Sequence, residues 1–153
     1  MFMYNADEIK MNDSGKSVLA VDWGRKRLGL AVSDPTRTLA RPLEVIAHIS
    51  RGKDAGRILK IAQDNDVSMI IVGVTYGDDL KPTYNGRSAM RLLEEIRNSG
   101  SIPVVAWNEE GSTRAAISSR VEIGSSRKKR KGHLDSIAAA IFLQNFLDLE
   151  SEK

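Results

Sequence analysis

Three acidic residues that lie far apart in the sequence each stand beside a segment that could carry them to one site. Asp22 closes the apolar run 17–21, Glu109 follows the apolar run 102–107, and Asp135 lies near the start of a long helical pattern. A carboxylate at the end of a buried strand is costly to desolvate, so hydrogen bonds, a cation or a metal ion normally offset that cost. Three converging carboxylates would repel one another unless cations lay between them.

The chemistry available to such a cluster is metal-assisted hydrolysis. Carboxylate oxygens suit Mg²⁺ or Mn²⁺, and two such ions roughly 3.5–4 Å apart can activate a water and stabilise the leaving oxygen of a phosphodiester. Each acid also has a purely structural explanation. Asp22 could accept hydrogen bonds in its own turn, Glu109 could be solvated, and Asp135 could be a first-turn residue favoured by the helix dipole. The topology has to decide between these explanations.

The hydrophobic pattern predicts an α/β fold with the order β-β-β-α-β-α-β-α-α. Strands are expected over 17–22, 27–33, 39–49, 67–74 and 102–107, and helices over 53–65, 88–98, 112–121 and 134–149. Pro42 suggests that the third strand lies at an edge, and the stretch 124–132 is expected to be a mobile loop. The first, fourth and fifth strands should be parallel neighbours, so Asp22 and Glu109 should emerge at one edge, where the last helix could bring Asp135.

Composition limits the class of protein. A chain of 153 residues, 41% of them hydrophobic, suits a single domain over 17–149, with a flexible extension over 1–16 and a flexible tail over 150–153. The sequence has no cysteine and only two histidines, His48 and His133, which excludes disulfides and zinc sites built from cysteines or paired histidines. No signal peptide or membrane span is recognisable, which predicts a soluble, cytoplasmic protein with no membrane partner.

Positive charge is concentrated in one segment. The net charge is only +3, yet residues 120–131 contain six basic side chains and one acidic one, Glu122. Such a stripe is typical of proteins that bind a phosphate-rich partner, although a solvated charged loop is a common alternative. The candidate nucleic-acid contacts lie in two groups: Arg25, Lys26 and Arg27 beside Asp22, and Arg127, Lys128, Lys129, Arg130 and Lys131 before Asp135. Trp23 and Trp107 could stack on a base or pack in the core.

Several blocks of the sequence together resemble the YqgF family. These are Holliday-junction-resolvase-like proteins that are also described as pre-16S ribosomal RNA nucleases. The blocks are Val21-Asp22-x-Gly24-x-Lys26-Arg27-x-Gly29-x-Ala31-x-Ser33-Asp34-Pro35, Ala40-x-Pro42-Leu43, Ile71-Val72-Gly73, Glu109-x-x-Ser112-Thr113-x-Ala115 and Leu134-Asp135-Ser136-x-Ala138-x-Ala140. The resemblance implies a ribonuclease-H-like fold with a five-stranded mixed sheet. It also implies a divalent-metal-dependent nuclease that matures small-subunit ribosomal RNA, with Asp22, Glu109 and Asp135 as catalytic acids and metal ligands.

The sequence departs from the family pattern near the expected site. The family usually has Asp-Glu-Arg where this chain has Asn108-Glu109-Glu110, so that one acid and one candidate phosphate contact are replaced. Asp78 and Asp79 follow the fourth strand and could add ligands or simply form a solvated turn. Related junction resolvases carry a further acid where this chain has Ala138, which counts against assuming cleavage of branched DNA.

Three other functions stay open from the sequence. The first is a Holliday-junction resolvase acting on branched DNA rather than RNA. The second is a non-catalytic module that binds ribosomal RNA or a transcription complex, which the replacements at Asn108 and Glu110 favour. The third is an ATPase related to actin and sugar kinases, because those proteins also use an Asp-x-Gly turn, but the chain is too short for their two lobes.

Overall fold

The structure is a computed structural model that describes residues 16–108 and 127–152, with the side chains of 127–135 left out. Five strands and three helices lie in these ranges: β1 (Ser17–Asp22), β2 (Arg27–Ser33), β3 (Ala40–Ala47), α1 (Arg51–Asp64), β4 (Val67–Val74), α2 (Tyr84–Ser99), β5 (Val104–Asn108) and α3 (Arg127–Ser151). The predicted helix over 112–121, the predicted loop residues 124–126 and most of the predicted N-terminal extension lie outside the described residues.

The strands form one mixed sheet in the order β3-β2-β1-β4-β5. β1 pairs antiparallel with β2 and parallel with β4, and β5 is parallel to β4. The crossover through α1 makes β4 parallel to β1, because a connection of this length can return the chain to the same end of the sheet. The predicted α/β class, the mixed five-stranded sheet and the edge position of Pro42 are confirmed.

Alternate residues of the central strands pack into two separate cores. Leu19 and Val21 of β1 face α1 and α2, which contribute residues such as Ile58 and Leu93. Val18 and Ala20 face the other side, where α3 covers the sheet with side chains such as Phe142, Leu143 and Phe146. All eight residues of β4 are buried. This is the pattern expected of strands covered on both faces.

The last helix begins earlier than the sequence pattern predicts. Instead of a loop over 124–132 followed by a helix from 134, α3 starts at Arg127 and continues to Ser151, so the expected loop is wrong over 127–132. Lysine and arginine are good helix formers, and the cost of Gly132, about 1 kcal/mol, is small beside the packing of the rest of the helix. Asp135 therefore lies in the third turn of α3 rather than in its first turn.

The turn between β2 and β3 is held by a side chain of α3. Gln144 accepts a hydrogen bond from Ala40 N at 2.8 Å and donates one to Thr38 O at 2.9 Å. Within the turn, Asp34 Oδ1 accepts hydrogen bonds from Thr38 N and Leu39 N. A hydrogen bond from Thr36 and these two from the backbone lower the pKa of Asp34 below its ordinary value.

In the described part of the chain, no helix is both long and apolar enough to cross a membrane.

Candidate active site at the sheet edge

Asp22 lies at the carboxyl edge of the sheet, level with the ends of two further strands. Its Cα pairs with Gly73 of β4, and Gly73 pairs in turn with Trp107 of β5. Neighbouring strands lie about 4.8 Å apart, so the backbones at Asp22 and Trp107 are about 10 Å apart. Gly73 has no side chain, so β4 places nothing between them at this level. The prediction that the first, fourth and fifth strands are parallel neighbours with a shared carboxyl edge is confirmed.

The sheet face to which each residue belongs follows from the alternation along its strand. Val18 and Ala20 pack on the α3 side, so half-buried Asp22 falls on that side too. Trp107 also packs there, with its ring 5.2 Å from that of Phe146. Its role as a core residue is thereby confirmed. Exposed Asn108 alternates to the opposite face. The replacement of the usual acid by Asn108 therefore does not remove a metal ligand from the face of the sheet on which Asp22 lies.

Asp135 lies on a helix that packs against the face of Asp22. The buried positions of α3 include Ala138, Ala139 and Phe142, which are three, four and seven residues after Asp135. Residues at these spacings share one side of a helix, so position 135 belongs to the sheet-facing side of α3. The side chain of Asp135 and the whole of Glu109 lie outside the described residues. Among the side chains that are described, no group of three potential ligands could hold a metal ion. The convergence of the three acids stays a prediction.

The hairpin after Asp22 is tightly built. A Cβ atom on Gly24 would lie 2.4 Å from the carbonyl oxygen of Arg27, so only glycine fits there. Arg25 and Lys26 are exposed at the tip, while Arg27 begins β2 and is half-buried. Lys26 also accepts a hydrogen bond through its carbonyl oxygen from His48 N at 2.9 Å, which ties the hairpin to the end of β3.

The loop after β4 carries the two acids that the sequence left open as further ligands or as a solvated turn. Asp78 and Asp79 are exposed, and Asp79 Oδ1 accepts a hydrogen bond from Lys81 N at 3.0 Å. This arrangement agrees with the solvated-turn interpretation of the pair. The basic residues Arg127, Lys128, Lys129, Arg130 and Lys131 lie in the first two turns of α3, on the same helix as Asp135.

A cavity of about 300 Å³ lies beside the hairpin, on the opposite face of the sheet from α3. It is bounded by the hairpin, the end of β3 and the first turns of α1 and α2. The residues that line it are Trp23, Arg25, His48, Arg51, Asp54, Tyr84, Ser88, Arg91 and Leu92. Only Trp23 and Arg25 belong to the groups that the sequence singled out.

Asp54 is fully buried in the wall of this cavity and holds His48. His48 Nδ1 donates a hydrogen bond to Asp54 Oδ2, Ile49 N donates to Oδ1 at 3.0 Å, and Arg57 pairs with Oδ1 at 2.6 Å. Burial alone would raise the pKa of Asp54, but these hydrogen bonds outweigh burial and hold the pKa below its ordinary value. The imidazole of His48 is in turn edge-on to Trp23, with ring centroids 6.0 Å apart.

Sequence reasoning missed this cavity because its residues come from four separate elements. The available local signal was Ser50, which caps α1 by accepting a hydrogen bond from Lys53 N at 3.3 Å. A serine at this position marks the helix start and would have placed Asp54 in the first turn. No pattern in the sequence pairs Asp54 with His48 or brings α2 beside the hairpin.

Two proteins of similar sequence from different bacteria carry the same name. A protein of Thermoanaerobacter pseudethanolicus, named "Putative pre-16S rRNA nuclease", is 36% identical over 137 residues, which is 89% of this chain and 99% of that protein. A protein of Roseiflexus with the same name is 34% identical over 140 residues, covering 90% of this chain and 98% of the relative.

Solved structures of lower sequence identity share the fold. Thermus thermophilus RuvC in complex with a Holliday junction substrate aligns with a TM-score of 0.55 at 18% identity, over 89% of this chain and 96% of that one. The fowlpox virus Holliday junction resolvase aligns with a TM-score of 0.51 at 16% identity, over 90% and 99% of the two chains. These likenesses confirm the ribonuclease-H-like architecture that the sequence predicts.

The family model described as "RuvX: Holliday junction resolvase" matches residues 16–149. This range includes the whole sheet and nearly all of α3, and with it the sequence blocks that carry the resemblance to YqgF proteins. The expected family is thereby confirmed, and the chain belongs to the RuvX family of Holliday junction resolvases.

Proposed function

We propose that the protein is a divalent-metal-dependent nuclease that hydrolyses phosphodiester bonds of structured nucleic acid, with the 5′ end of pre-16S ribosomal RNA as its main substrate. Asp22, Glu109 and Asp135 are the proposed catalytic acids and hold two Mg²⁺ or Mn²⁺ ions. The proposal keeps the cytoplasmic location that the sequence predicts, and the names of the similar proteins support the RNA substrate.

One observation supports the site more than any other. Asp22 alternates onto the face of the sheet that α3 covers, and position 135 belongs to the side of α3 that packs on this face. Asn108 ends β5 at the same edge of the sheet, and Glu109 is the next residue in the sequence. This placement of β1, β5 and α3 supports the proposal that the three acids converge at one edge of the sheet.

The donor set fits hard divalent ions. Asp22 is half-buried rather than fully enclosed, so its carboxylate combines a partly desolvated position with access from the edge. The sequence contains no cysteine, so soft thiolate ligands are absent and oxygen ligands dominate. When bound, the ions would activate a water and stabilise the leaving oxygen. The protein's own part would be to hold the carboxylates at fixed positions on a rigid sheet edge.

Basic residues on both sides of the edge would hold the substrate backbone. Arg25 and Lys26 project from the hairpin that follows Asp22. Arg27, at the start of β2, and the positions from Arg127 to Lys131, at the start of α3, complete the proposed set. Phosphate contacts of this kind position a strand without reading its sequence, and they weaken as salt rises.

Cleavage by the purified protein tests the proposal. We expect Mg²⁺-dependent shortening of a pre-16S ribosomal RNA fragment, and we expect this cleavage to be lost on chelation. Cleavage should be at least a thousandfold slower in Asp22→Asn, because the variant lacks one of the carboxylates that bind the two metal ions. Asp64→Asn, at an exposed position of α1, is the matched control and should cleave normally. Retention of full activity in Asp22→Asn would contradict the site. Specific RNA binding without cleavage would instead support the non-catalytic module.

A Holliday-junction resolvase is the second candidate. The family description and the shared fold with RuvC favour it. Ala138 argues against it, because a further acid is usual at that position in junction resolvases. Side-by-side assays with a four-way DNA junction and the RNA fragment separate the two. Faster cleavage of the RNA supports ribosomal RNA processing, and cleavage of the junction alone supports resolution of branched DNA.

A further inference from the structure

The cavity beside the hairpin combines cationic and aromatic side chains in a space suited to a small ligand. Three arginines line it, Arg25, Arg51 and Arg91, and all three are exposed. Within residues 16–108 none of the three forms an ion pair with a carboxylate. The one acid in the lining, Asp54, is already engaged by His48 and Arg57. The cavity therefore carries uncompensated positive charge, which favours an anionic ligand.

Two aromatic rings add a second kind of contact. Tyr84 is 58% exposed, and the guanidinium carbons of Arg25 and Arg87 lie 5.7 and 5.9 Å from its ring centroid. Trp23 packs partly against the α1 and α2 core and is held edge-on by His48. Aromatic faces beside guanidinium groups are the usual means by which proteins stack an unpaired base while holding its phosphate.

The position of the cavity links it to the proposed active site. Trp23 directly follows Asp22, so the two Cα atoms are about 3.8 Å apart, yet they belong to opposite faces of the sheet. A strand that crosses the edge can therefore place one phosphate on the Asp22 side and the adjoining nucleotide on the Trp23 side. A volume of about 300 Å³ is at the lower end of the range for small-ligand sites, so the cavity admits a single nucleotide rather than a duplex.

We infer that this cavity binds one unpaired nucleotide of the substrate strand, next to the phosphodiester that is cleaved. Arg25, Arg51 and Arg91 hold its phosphate, and Tyr84 stacks on its base. The inference rests on the proposed nuclease function, and it adds a requirement for a single-stranded nucleotide beside the cleavage point. Arg51, Tyr84 and Arg91 thereby become binding residues, although they lie on helices that carry none of the proposed catalytic acids.

Binding in the presence of a chelator tests the inference without any cleavage. The probes are adenosine 5′-monophosphate, inorganic phosphate and a short single-stranded RNA, each titrated by calorimetry. We expect the mononucleotide to compete with the RNA, and the double variant Arg51→Ala/Arg91→Ala to weaken both by about tenfold or more. Lys60→Ala removes a cation from an exposed part of α1 distant from the cavity and should change neither affinity.

Substitution of the ring separates stacking from charge. Tyr84→Leu should lower the affinity for RNA by about tenfold and leave inorganic phosphate binding unchanged, whereas Tyr84→Phe should bind both normally. Equal RNA affinity in the double variant and in Lys60→Ala would overturn the inference. If the double variant lost affinity for the mononucleotide but kept its affinity for RNA, the inference would also be overturned, since the cavity would then bind a free nucleotide. Cleavage that depends on Asp22 but not on the arginines would overturn only this inference. Arginine-dependent binding without cleavage would overturn the nuclease proposal and, with it, the placement of the nucleotide beside a cleaved bond, but not the nucleotide site itself.

Discussion

Asp22 and Trp23 are consecutive residues that face opposite sides of the sheet at its carboxyl edge. Asp22 belongs to the side covered by α3, and Trp23 packs toward α1 and α2. The reversal is the ordinary alternation of a strand, continued one residue beyond its end. Because of it, a single short segment contributes to the proposed catalytic side and to the cavity on the other face. The two sites can then be altered independently.

Gly73 is expected to be necessary for activity but not for folding. It lies between Asp22 and Trp107 in the register, where any side chain would project toward α3 and occupy the space proposed for the ions. Gly73→Ala adds a single methyl group at this buried position, so it should keep the circular dichroism spectrum and reduce cleavage by about a hundredfold, because the methyl group would displace a bound ion. Unreduced cleavage would show that the metals lie elsewhere.

Asp54 is expected to stabilise the protein in a pH-dependent way. Its folded pKa is lowered, so its contribution is complete above the unfolded value of about 3.9 and is lost as the pH falls through the folded value. Asp54→Asn should lower the free energy of unfolding at pH 7 by about 2 kcal/mol, because His48 and Arg57 lose a charged acceptor. The difference from the unmodified protein should shrink in urea titrations below pH 4.

The matched control for that experiment is Asp64→Asn on the same helix. Asp64 is largely exposed and pairs with Lys60 at 3.5 Å. An exposed pair contributes little, so the change in the free energy of unfolding should stay within about 0.5 kcal/mol. Equal changes in the free energy of unfolding for Asp54→Asn and Asp64→Asn would contradict the stabilising role given to Asp54.

Two glycines in helices should respond in opposite directions to alanine. A Cβ on Gly56 would meet nothing within 4 Å, whereas one on Gly86 would lie 2.2 Å from the carbonyl oxygen of Thr75. Gly56→Ala should therefore stabilise the protein by about 0.5–1 kcal/mol. Gly86→Ala should destabilise it by about 2 kcal/mol, because α2 must move away from the end of β4. Chemical denaturation of both variants measures the contrast, and the same sign for both would contradict it.

The basic segment at the start of α3 should contribute to substrate affinity through charge. Replacing Arg127, Lys128, Lys129, Arg130 and Lys131 by glutamine, a good helix former, should raise KM and flatten the dependence of binding on salt. The variant with Arg127 and Arg130 changed to lysine keeps the charge and should retain the steep dependence. Binding that is unchanged at every salt concentration would reject the assignment.

The sheet could be predicted well because its signals are local. β2 and β4 have the predicted bounds, since β2 alternates apolar and small residues, β4 is a continuous apolar run, and turn residues limit both. Helix starts were less certain: α2 begins at Tyr84 rather than at residue 88, because Thr83 caps it by accepting a hydrogen bond from Gly86 N at 3.1 Å. A cap that lies five residues before the predicted start at residue 88 is easily missed.

The candidate site could be predicted only in part. The parallel order of β1, β4 and β5 follows from the crossover helices, so the shared edge of Asp22 and the end of β5 was foreseeable. The cavity could not be predicted, because it depends on the contact between Arg25 in the hairpin and Tyr84 in a helix about sixty residues later. Such a contact depends on how α2 packs against the rest of the protein, and no residue spacing in the sequence predicts it.

The exposed outer strand of the sheet has a consequence for the behaviour of the protein at high concentration. Within residues 16–108 and 127–152, no strand pairs with the outer edge of β3, and such a ladder of backbone groups could recruit another chain. Pro42 offers no amide hydrogen there, the register shifts opposite it between Leu30 and Ala31, and the charged residues Arg41 and Glu44 are exposed beside it. These features oppose edge-to-edge aggregation, so β3 can stay uncovered without turning the sheet into a template for fibres.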